Sequence, residues 1–519
     1  MINPLSQSHF PNTVLMELNG LKATEALARD LARLLIPGDF ITLGGDLGAG
    51  KTAFARALLR VLADDPELEV PSPTFTLIQM YDTPVMPVVH ADLYRIKDQS
   101  ELEELGWEEA GPDSLLLIEW PDRLGDFLPA DRLELSFSLS ARNPDARQVA
   151  MRGYGRWAER LGRHVAVQHF LRLHGWSEAI RMPIQGDAST RAYERLKKPD
   201  QQAILMIAPR RPDGPPIRWG KPYSALAKLS ESVHAFVAVA HGLREQGVSA
   251  PAILAADLEP GLLIVEDLGG QGIADSKGPI AERYGVATDL LAHLHHQTLP
   301  PRLPVAVGSA QKADDHVLPD YDLDALCIEV ELLLDWYLPH HCQVSLGGAS
   351  HNQFVALWRD VLTPLTQQSK TWTLRDYHSP NLLWLPEREG IKRIGVIDFQ
   401  DAVLGHPAYD LVSLLQDARL LVSEDLELEL LRRYLTARKS QDETFDMVEF
   451  MAAYAALGAQ RATKILGIFI RLDRRDGKPD YLRHLPHLEV YLRRNLRHPS
   501  LGELSKWFQT TLPQLVWAQ

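Results

Sequence analysis

Two domains in tandem, an α/β domain and then an α+β domain of two lobes, are what this sequence predicts. Three observations carry that expectation. Strand-like and helix-like segments alternate from about residue 14 to 140. Beyond about residue 166, short strand-like pieces come first and a long, mostly helical stretch follows. At 519 residues the chain is also too long for one ordinary domain.

In the first part, Leu27, Leu31, Leu34 and Leu35 recur at helical spacing, and Pro37-Gly38 closes that helix. Phe40-Ile41-Thr42-Leu43 reads as a short buried strand, and a second helix starts near Thr52, with Phe54, Ala57, Leu58, Val61 and Leu62 on one face. Leu115-Leu116-Leu117-Ile118 is another run of strand length. This alternation favours a parallel sheet covered by helices. The stretch from Ser140 to Arg163 is rich in Arg and Gly, with Asn143-Pro144-Asp145 as a turn signal. The boundary is expected there, giving domains 1–155 and 164–519. The second domain offers strands near 193–207, a helix near 224–243 and a hairpin-like pair near 252–265, broken by Asp257-Leu258-Glu259-Pro260-Gly261. After about 280 the pattern is helical, interrupted near 371–400 by short strands and loops.

Composition narrows the function classes. Apolar residues make up 45% and charged residues 24%, enough to build cores and against wholesale disorder. A net charge of −14 argues against a general electrostatic grip on DNA or an anionic membrane. Cys327 and Cys342 are the only cysteines, which excludes a disulfide framework and a zinc site of several thiolates. The first residues lack a secretory pattern, and no apolar run approaches the roughly 18 residues a span needs. The expected address is the cytoplasm.

Gly45-Asp46-Leu47-Gly48-Ala49-Gly50-Lys51-Thr52 fits G-x-x-x-x-G-K-[ST] between a predicted strand and a predicted helix. Glycines at Gly45, Gly48 and Gly50 let successive backbone N–H groups turn inward around phosphate oxygens, with the helix N-terminus aimed at the same place. Lys51 is expected on the β/γ-phosphates and Thr52 on Mg²⁺. Nucleotide binding, with ATP and Mg²⁺ as cofactors, is the expectation.

Further blocks give this region a specific likeness: Pro71-Ser72-Pro73-Thr74-Phe75-Thr76, His90-Ala91-Asp92-Leu93-Tyr94-Arg95 and Ile118-Glu119-Trp120-Pro121. With the glycine-rich loop they resemble the tRNA threonylcarbamoyladenosine biosynthesis ATPase TsaE, over about residues 14–150. The resemblance implies an α/β P-loop NTPase fold and an accessory ATPase that supports the t6A37 modification of tRNA. It implies partners of the TsaB and TsaD type, and tRNA only indirectly. It also implies Asp92 as a metal ligand with Thr52, and Thr74 as a switch-like contact to metal or γ-phosphate. Glu119 would orient the attacking water, and Trp120 would pack near the nucleotide.

The second constellation is Leu374-Arg375-Asp376-Tyr377-His378-Ser379-Pro380-Asn381, followed by Val396-Ile397-Asp398-Phe399-Gln400. Its spacing is that of a kinase catalytic loop, D-x-x-x-x-N, ahead of a strand that carries a metal-binding Asp. Phosphoryl transfer needs a carboxylate to accept or orient the acceptor hydroxyl, and Asp376 takes that role. It also needs oxygen ligands that hold Mg²⁺ against the phosphates, here Asn381 and Asp398. Leu382-Leu383-Trp384-Leu385 and Ile394-Gly395-Val396-Ile397 read as two short paired strands.

These blocks, with Gly186-Asp187-Ala188-Ser189-Thr190-Arg191 upstream and Gly405-His406-Pro407-Ala408-Tyr409-Asp410-Leu411 downstream, resemble the aminoglycoside phosphotransferase (APH) superfamily over about 166–480. The nearest look is to N-acetylmuramate/N-acetylglucosamine kinases of the AmgK type, carried by Phe170-Leu171 through Gly175-Trp176, Gly186-Asp187-Ala188-Ser189 and Arg375-Asp376-Tyr377-His378-Ser379. The resemblance implies an α+β, protein-kinase-like bilobal domain that phosphorylates a small sugar, at the anomeric hydroxyl, in cell-wall (peptidoglycan) recycling. It implies Ser189, Arg191 and Glu266 as nucleotide-binding residues, Glu266 from a lobe hinge with Asp267-Leu268-Gly269, and Asp410 as a tether of the catalytic loop.

The sequence departs from that pattern twice. Leu374 stands where the superfamily usually has His, and Ala203-Ile204-Leu205-Met206-Ile207-Ala208-Pro209 carries no ATP-binding Lys, with Lys221 and Arg191 as substitutes. Two other readings therefore stay open: a non-catalytic pseudokinase module, or a kinase for another small alcohol such as an aminoglycoside or choline. The histidines 293, 295 and 296 fit a helix face better than a metal site, and the His340-His341-Cys342 run has no second cluster at zinc spacing.

Overall fold

The computed structural model describes residues 13–97, 100–103, 111–140, 143, 145–184, 191–210, 214–307, 311–312, 315–513 and 515. The chain divides into two compact units, Met1–Ser177 and Glu178–Gln519.

In the first unit the order is β1 (Thr13–Asn19), α1 (Leu21–Ala32), β2 (Phe40–Gly44), α2 (Lys51–Ala63), β3 (Ile78–Tyr81), β4 (Val88–Asp92), the one-turn α3 (Ser100–Glu103), β5 (Leu115–Glu119), β6 (Arg132–Leu139), β7 (Ala146–Tyr154) and α4 (Arg156–Leu173). They build a 7-stranded sheet in the order β1-β7-β6-β2-β5-β4-β3. The central strands β6, β2, β5 and β4 are parallel. β2 and β5 are nearly all apolar and β4 is buried along its length, as strands covered on both faces must be.

The sheet is mixed, where the alternation alone predicted a parallel one. β7 and β1 continue it antiparallel on one side, and β3 does so on the other. The reason lies in the turn at 143–145. The Asn143 side chain accepts from Asp145 N at 3.0 Å and its carbonyl from Ala146 N at 3.0 Å, folding β6 back into β7. The turn signal read as a domain boundary is thus a hairpin inside the first unit. The expected boundary between 155 and 164 falls inside α4, whose Trp157 and Leu161 lie in the core of that unit.

The second unit opens with a small lobe made of β8 (Ile180–Ile184), β9 (Ala192–Lys198), β10 (Gln201–Ile207), β11 (Ile253–Asp257) and β12 (Leu262–Glu266). These form a 5-stranded antiparallel sheet in the order β11-β12-β10-β9-β8. Between β10 and β11 run the short α5 (Tyr223–Leu226) and α6 (Val233–Glu245), where one helix had been expected. The large lobe holds α7 (Ala281–His296), α8 (Leu323–Val330), α9 (Gly348–Gln367), α10 (Ala408–Leu415), α11 (Glu424–Gln441) and the long α12 (Met447–Asp476). Between α9 and α10 lie four short strands: β13 (Thr371–Thr373), β14 (Leu382–Trp384), β15 (Ile394–Val396) and β16 (Val403–Gly405). β14 pairs antiparallel with β15, as the two apolar runs predicted, and β13 pairs with β16. Among the described residues, no helix is long and apolar enough to cross a membrane.

Two candidate active sites

In the first unit the chain leaves β2 at Gly44, wraps through residues 45–50 and enters α2 at Lys51. Gly45, Gly48 and Gly50 have φ of 124°, 78° and 112°, which side chains disfavour. Gly45 is constrained twice, because a Cβ there would sit 2.1 Å from the Phe137 carbonyl oxygen on β6. The loop borders a cavity of about 310 Å³, lined among others by Lys51, Thr52, Thr74, Asp92, Glu119 and Trp120. Six residues singled out from sequence therefore meet in one space, together with Gly48 and Gly50.

Strand ends place the acidic groups. Asp92 and Glu119 close β4 and β5 and lie opposite one another in register. Glu119 is nearly fully buried; one carboxylate oxygen accepts from Thr52 Oγ1 at 3.1 Å and the other lies 3.1 Å from His90 Nε2. Asp92 accepts from Thr74 Oγ1 at 2.7 Å, from Ser72 Oγ at 3.3 Å and from Tyr94 N at 2.9 Å. Thr74 and Ser72 are 2.7 Å apart, so the 71–76 segment is tied to the end of β4 by hydroxyls. Trp120 takes a left-handed conformation at φ 61°, turning its ring under the Lys51 ammonium at 3.9 Å. Lys51 donates to the carbonyls of Gly45 at 2.7 Å and Asp46 at 2.9 Å. Burial lowers its pKa from the ordinary lysine value, against the opposing pull of Glu119, Asp92 and Asp46.

The donor set suits a phosphate-bound magnesium ion, a hard cation that takes carboxylate and hydroxyl oxygens. Loop amides and an ammonium on one side, with Thr52 and Asp92 oxygens on the other, supply both halves of that requirement. His90 is the member sequence reading passed over. Its signal was parity: on a strand, residues 90 and 92 point the same way.

In the second unit, Asp376 and Asn381 follow β13, and Asp398 follows β15. The three are brought together. Asn381 Nδ2 donates to the Asp376 carbonyl at 2.9 Å, and its own carbonyl accepts from Ile397 N at 3.0 Å, next to Asp398. Asp398 is left-handed at φ 60°, and the following Phe399 stacks on Phe236 of α6 with ring centroids 4.8 Å apart. A non-glycine residue held there stores strain that the packing around it must offset. Its Oδ1 accepts from Gln400 Nε2 at 2.8 Å and from Arg191 Nη1 at 3.2 Å.

The catalytic loop is anchored from below. Asp410 accepts from the backbone N–H of Leu374 at 2.6 Å and of Arg375 at 2.9 Å, the tether expected of it. Burial, with the Asp376 charge, raises the Asp410 carboxyl to about 7, against the pull of the two backbone N–H groups and Arg461. Asp417 holds Ser379 by its N–H at 2.9 Å and its hydroxyl at 2.6 Å. The Arg375 guanidinium pairs with Glu329 of α8, which also accepts from Lys464 at 2.7 Å and Gln460 at 3.1 Å on α12. Arg375 has φ 67°, so the residues on either side of the loop, 375 and 398, share the strained conformation.

Electrostatics separates the two aspartates. Burial pushes the Asp376 carboxyl up, but His378, Lys464, Arg461 and Arg375 outweigh it and hold it below the ordinary range. Asp398 goes the other way, raised by the protein packed around it and then by the Asp376 charge. An Asp amide-Asp arrangement of this kind offers an ionised base beside oxygens of the type magnesium prefers.

The remaining predicted residues divide. Arg191 lies against Asp398, as given above. Glu266 closes β12 with its carboxylate committed to Arg388 at 2.6 Å and Arg244 at 3.4 Å. Ser189 and the loop 186–190 lie outside the described residues.

With this geometry in hand, comparison with known proteins is decisive. The model of threonylcarbamoyl adenosine biosynthesis protein TsaE matches residues 18–149, and that of the phosphotransferase enzyme family (APH) matches residues 181–463. The chain is a TsaE-type protein joined to a phosphotransferase. The phosphotransferase part is 40% identical over 365 residues to an N-acetylmuramate/N-acetylglucosamine kinase of Caulobacter vibrioides, covering 68% of this chain and 97% of that protein. A protein of the same name from Pseudomonas aeruginosa is 34% identical over 352 residues, 66% of this chain and 91% of its own length. The TsaE part is 40% identical over 126 residues to the tRNA threonylcarbamoyladenosine biosynthesis protein TsaE of Rickettsia prowazekii, 24% of this chain and 87% of that protein. The fold follows: a P-loop NTPase unit in front of a kinase-like unit. Both families use ATP, the TsaE unit as an ATPase and the APH unit as a phosphotransferase.

Proposed function

We propose that the TsaE unit hydrolyses ATP to drive t6A37 formation on tRNA through TsaB- and TsaD-type partners. We propose that the APH unit phosphorylates the anomeric hydroxyl of N-acetylmuramate or N-acetylglucosamine, in the recycling of cell-wall sugars.

In the first site, the amides of residues 45–50 and Lys51 bind the β/γ-phosphates, while Thr52 and Asp92 hold Mg²⁺. The metal, when bound, neutralises charge on the phosphates. Thr74, hydrogen-bonded to Asp92, reports the state of that site to the 71–76 segment. Glu119 orients water, with His90 fixing one of its oxygens. The observation that carries this reading is the convergence of Lys51, Thr52, Asp92 and Glu119 on one cavity. Lys51→Ala should lower acceptor-free ATP hydrolysis by roughly 100-fold or more; phosphate release at the wild-type rate would refute the assignment.

In the second site, Asp376 takes the proton of the acceptor hydroxyl while Asn381 and Asp398 hold Mg²⁺ and Arg191 moves from Asp398 to the phosphates. The low Asp376 and raised Asp398 carboxyls support this division, since the base must be ionised at neutral pH. The sugar acceptor is supported by two relatives that carry that activity in their names and are matched over 97% and 91% of their length. The test is full-length protein with labelled ATP and each sugar, reading the 1-phosphate. Absence of transfer to both sugars, with transfer to choline or an aminoglycoside, would replace the acceptor.

A further inference from the structure

A buried arginine stands beside the catalytic loop without a hydrogen-bond or ion-pair partner among the described residues. Arg461 lies on α12 with 5% of its surface exposed, and its Nη1 is enclosed without a hydrogen-bond partner. Among the described residues no carboxylate comes within ion-pair distance of it. An arginine cannot shed its charge in a protein, and a buried charge left unpaired is strongly unfavourable. A position of this kind persists when an anion completes it during the working cycle.

The helix fixes where that anion must lie. Lys464, three residues on and therefore on the same face, reaches Glu329 at 2.7 Å, and Glu329 pairs with Arg375. Arg375 immediately precedes Asp376, so this face of α12 looks onto the catalytic loop. Arg461 acts electrostatically on Asp376, His378 and Asp410. His378 is 8% exposed and its Nδ1 is also without a hydrogen-bond partner among the described residues. Three groups thus lie around the catalytic loop: the Asp376 carboxylate, the His378 imidazole and a guanidinium with an orphaned Nη1. The nucleotide side has its own cation, because Arg191 is the group within reach of Asp398, at 3.2 Å. Asp376 cannot serve Arg461 either, since it is needed by the reacting hydroxyl.

We propose that Arg461 is a specificity-determining residue of the phosphotransferase site, binding the carboxylate of an acidic amino-sugar acceptor. The proposal rests on the amino-sugar reading above and deepens it. N-acetylmuramate is N-acetylglucosamine carrying a lactyl ether, so the two differ by the one group Arg461 recognises. The neutral sugar reacts without engaging the guanidinium; the acidic one binds through it.

The experiment measures kcat/KM of full-length wild type, Arg461→Met and Arg461→Lys for both sugars, with melting temperature as a check on folding. Arg461→Met should lower kcat/KM for N-acetylmuramate by roughly 30- to 100-fold, mainly through KM, the range for a lost charge-assisted pair. For N-acetylglucosamine the change should stay within about threefold, and Arg461→Lys should fall between on the acidic sugar. An equal loss on both sugars would overturn the proposal, assigning Arg461 to the transferred phosphoryl group or to the fold, and would leave the amino-sugar reading standing. Unchanged kinetics on both would overturn it too. If wild type phosphorylates neither sugar, the amino-sugar reading fails and the proposal with it. Should Arg461→Met not fold, Arg461→Lys decides by the same ratio: a shift in discrimination supports the proposal and an unchanged ratio removes it.

Discussion

At the scale of single residues, the two sites use the same physics in opposite ways. In the proposed reading the TsaE site meets phosphate with main-chain amides, so its decisive residues are glycines whose conformation no other residue adopts easily. The phosphotransferase site uses side chains, and its decisive quantity is the charge state of Asp376. Asp376→Asn keeps the volume but removes the base, and phosphoryl transfer should fall by about 10²- to 10⁴-fold with the Kd for ATP nearly unchanged. A quench assay beside a binding isotherm checks both halves of that statement. The spacing of Asp376, Asn381 and Asp398 was legible in sequence because they lie within one loop and the next strand. Arg461 was not: it arrives from α12, more than sixty residues downstream of Asp398, and nothing in one-dimensional spacing marks it. His90 lies between these cases, visible by strand parity once β4 is known to end at Asp92.

Elements carry their own sensitivities. α10 begins after Pro407, and the Ala408 N–H donates to His406 Nδ1 at 3.1 Å, which requires a neutral ring. Burial lowers the His406 pKa to about 4 from an ordinary 6.5. Because the folded pKa lies below the unfolded one, the neutral ring's contribution is present above about pH 6.5 and is lost as pH falls through 4. The melting temperature of wild type should therefore drop more steeply over that window than that of His406→Gln. α12 shows a steric limit. A Cβ on Gly467 would lie 2.3 Å from the Leu332 carbonyl, a backbone atom with no room to yield. Gly467→Ala should cost about 1–3 kcal/mol by chemical denaturation, despite alanine's better helix propensity. Periodicity identified α1, β2, α2 and β5 in the first unit but not β7 and α4, which fall in the Arg- and Gly-rich stretch, and it did not give strand direction. Periodicity reports which residues are buried, and antiparallel β7 and β1 bury theirs much as parallel neighbours would. A hairpin turn and a linker use the same polar residues, so the turn signal at 143–145 does not by itself mark where one unit ends.

For the whole molecule, each unit has its own apolar core and its own candidate site. Inactivating one should leave the other intact. Lys51→Ala should transfer phosphate to sugar within about twofold of the wild-type rate, and Asp376→Asn should hydrolyse ATP normally without acceptor; a large cross-effect in either would reveal coupling between the units. The acidic balance, with a net charge of −14, agrees with an ATPase that works on a protein assembly more than one that grips tRNA itself.

The position of Lys51 has a kinetic meaning. Its ammonium is already out of water, bound to two carbonyls of its own loop and roofed by an indole ring. An arriving triphosphate therefore trades places with internal acceptors and strips little hydration from the lysine. On the proposed reading, the loop would compete weakly with bound nucleotide for its own cation, its two carbonyls standing ready to take the ammonium back.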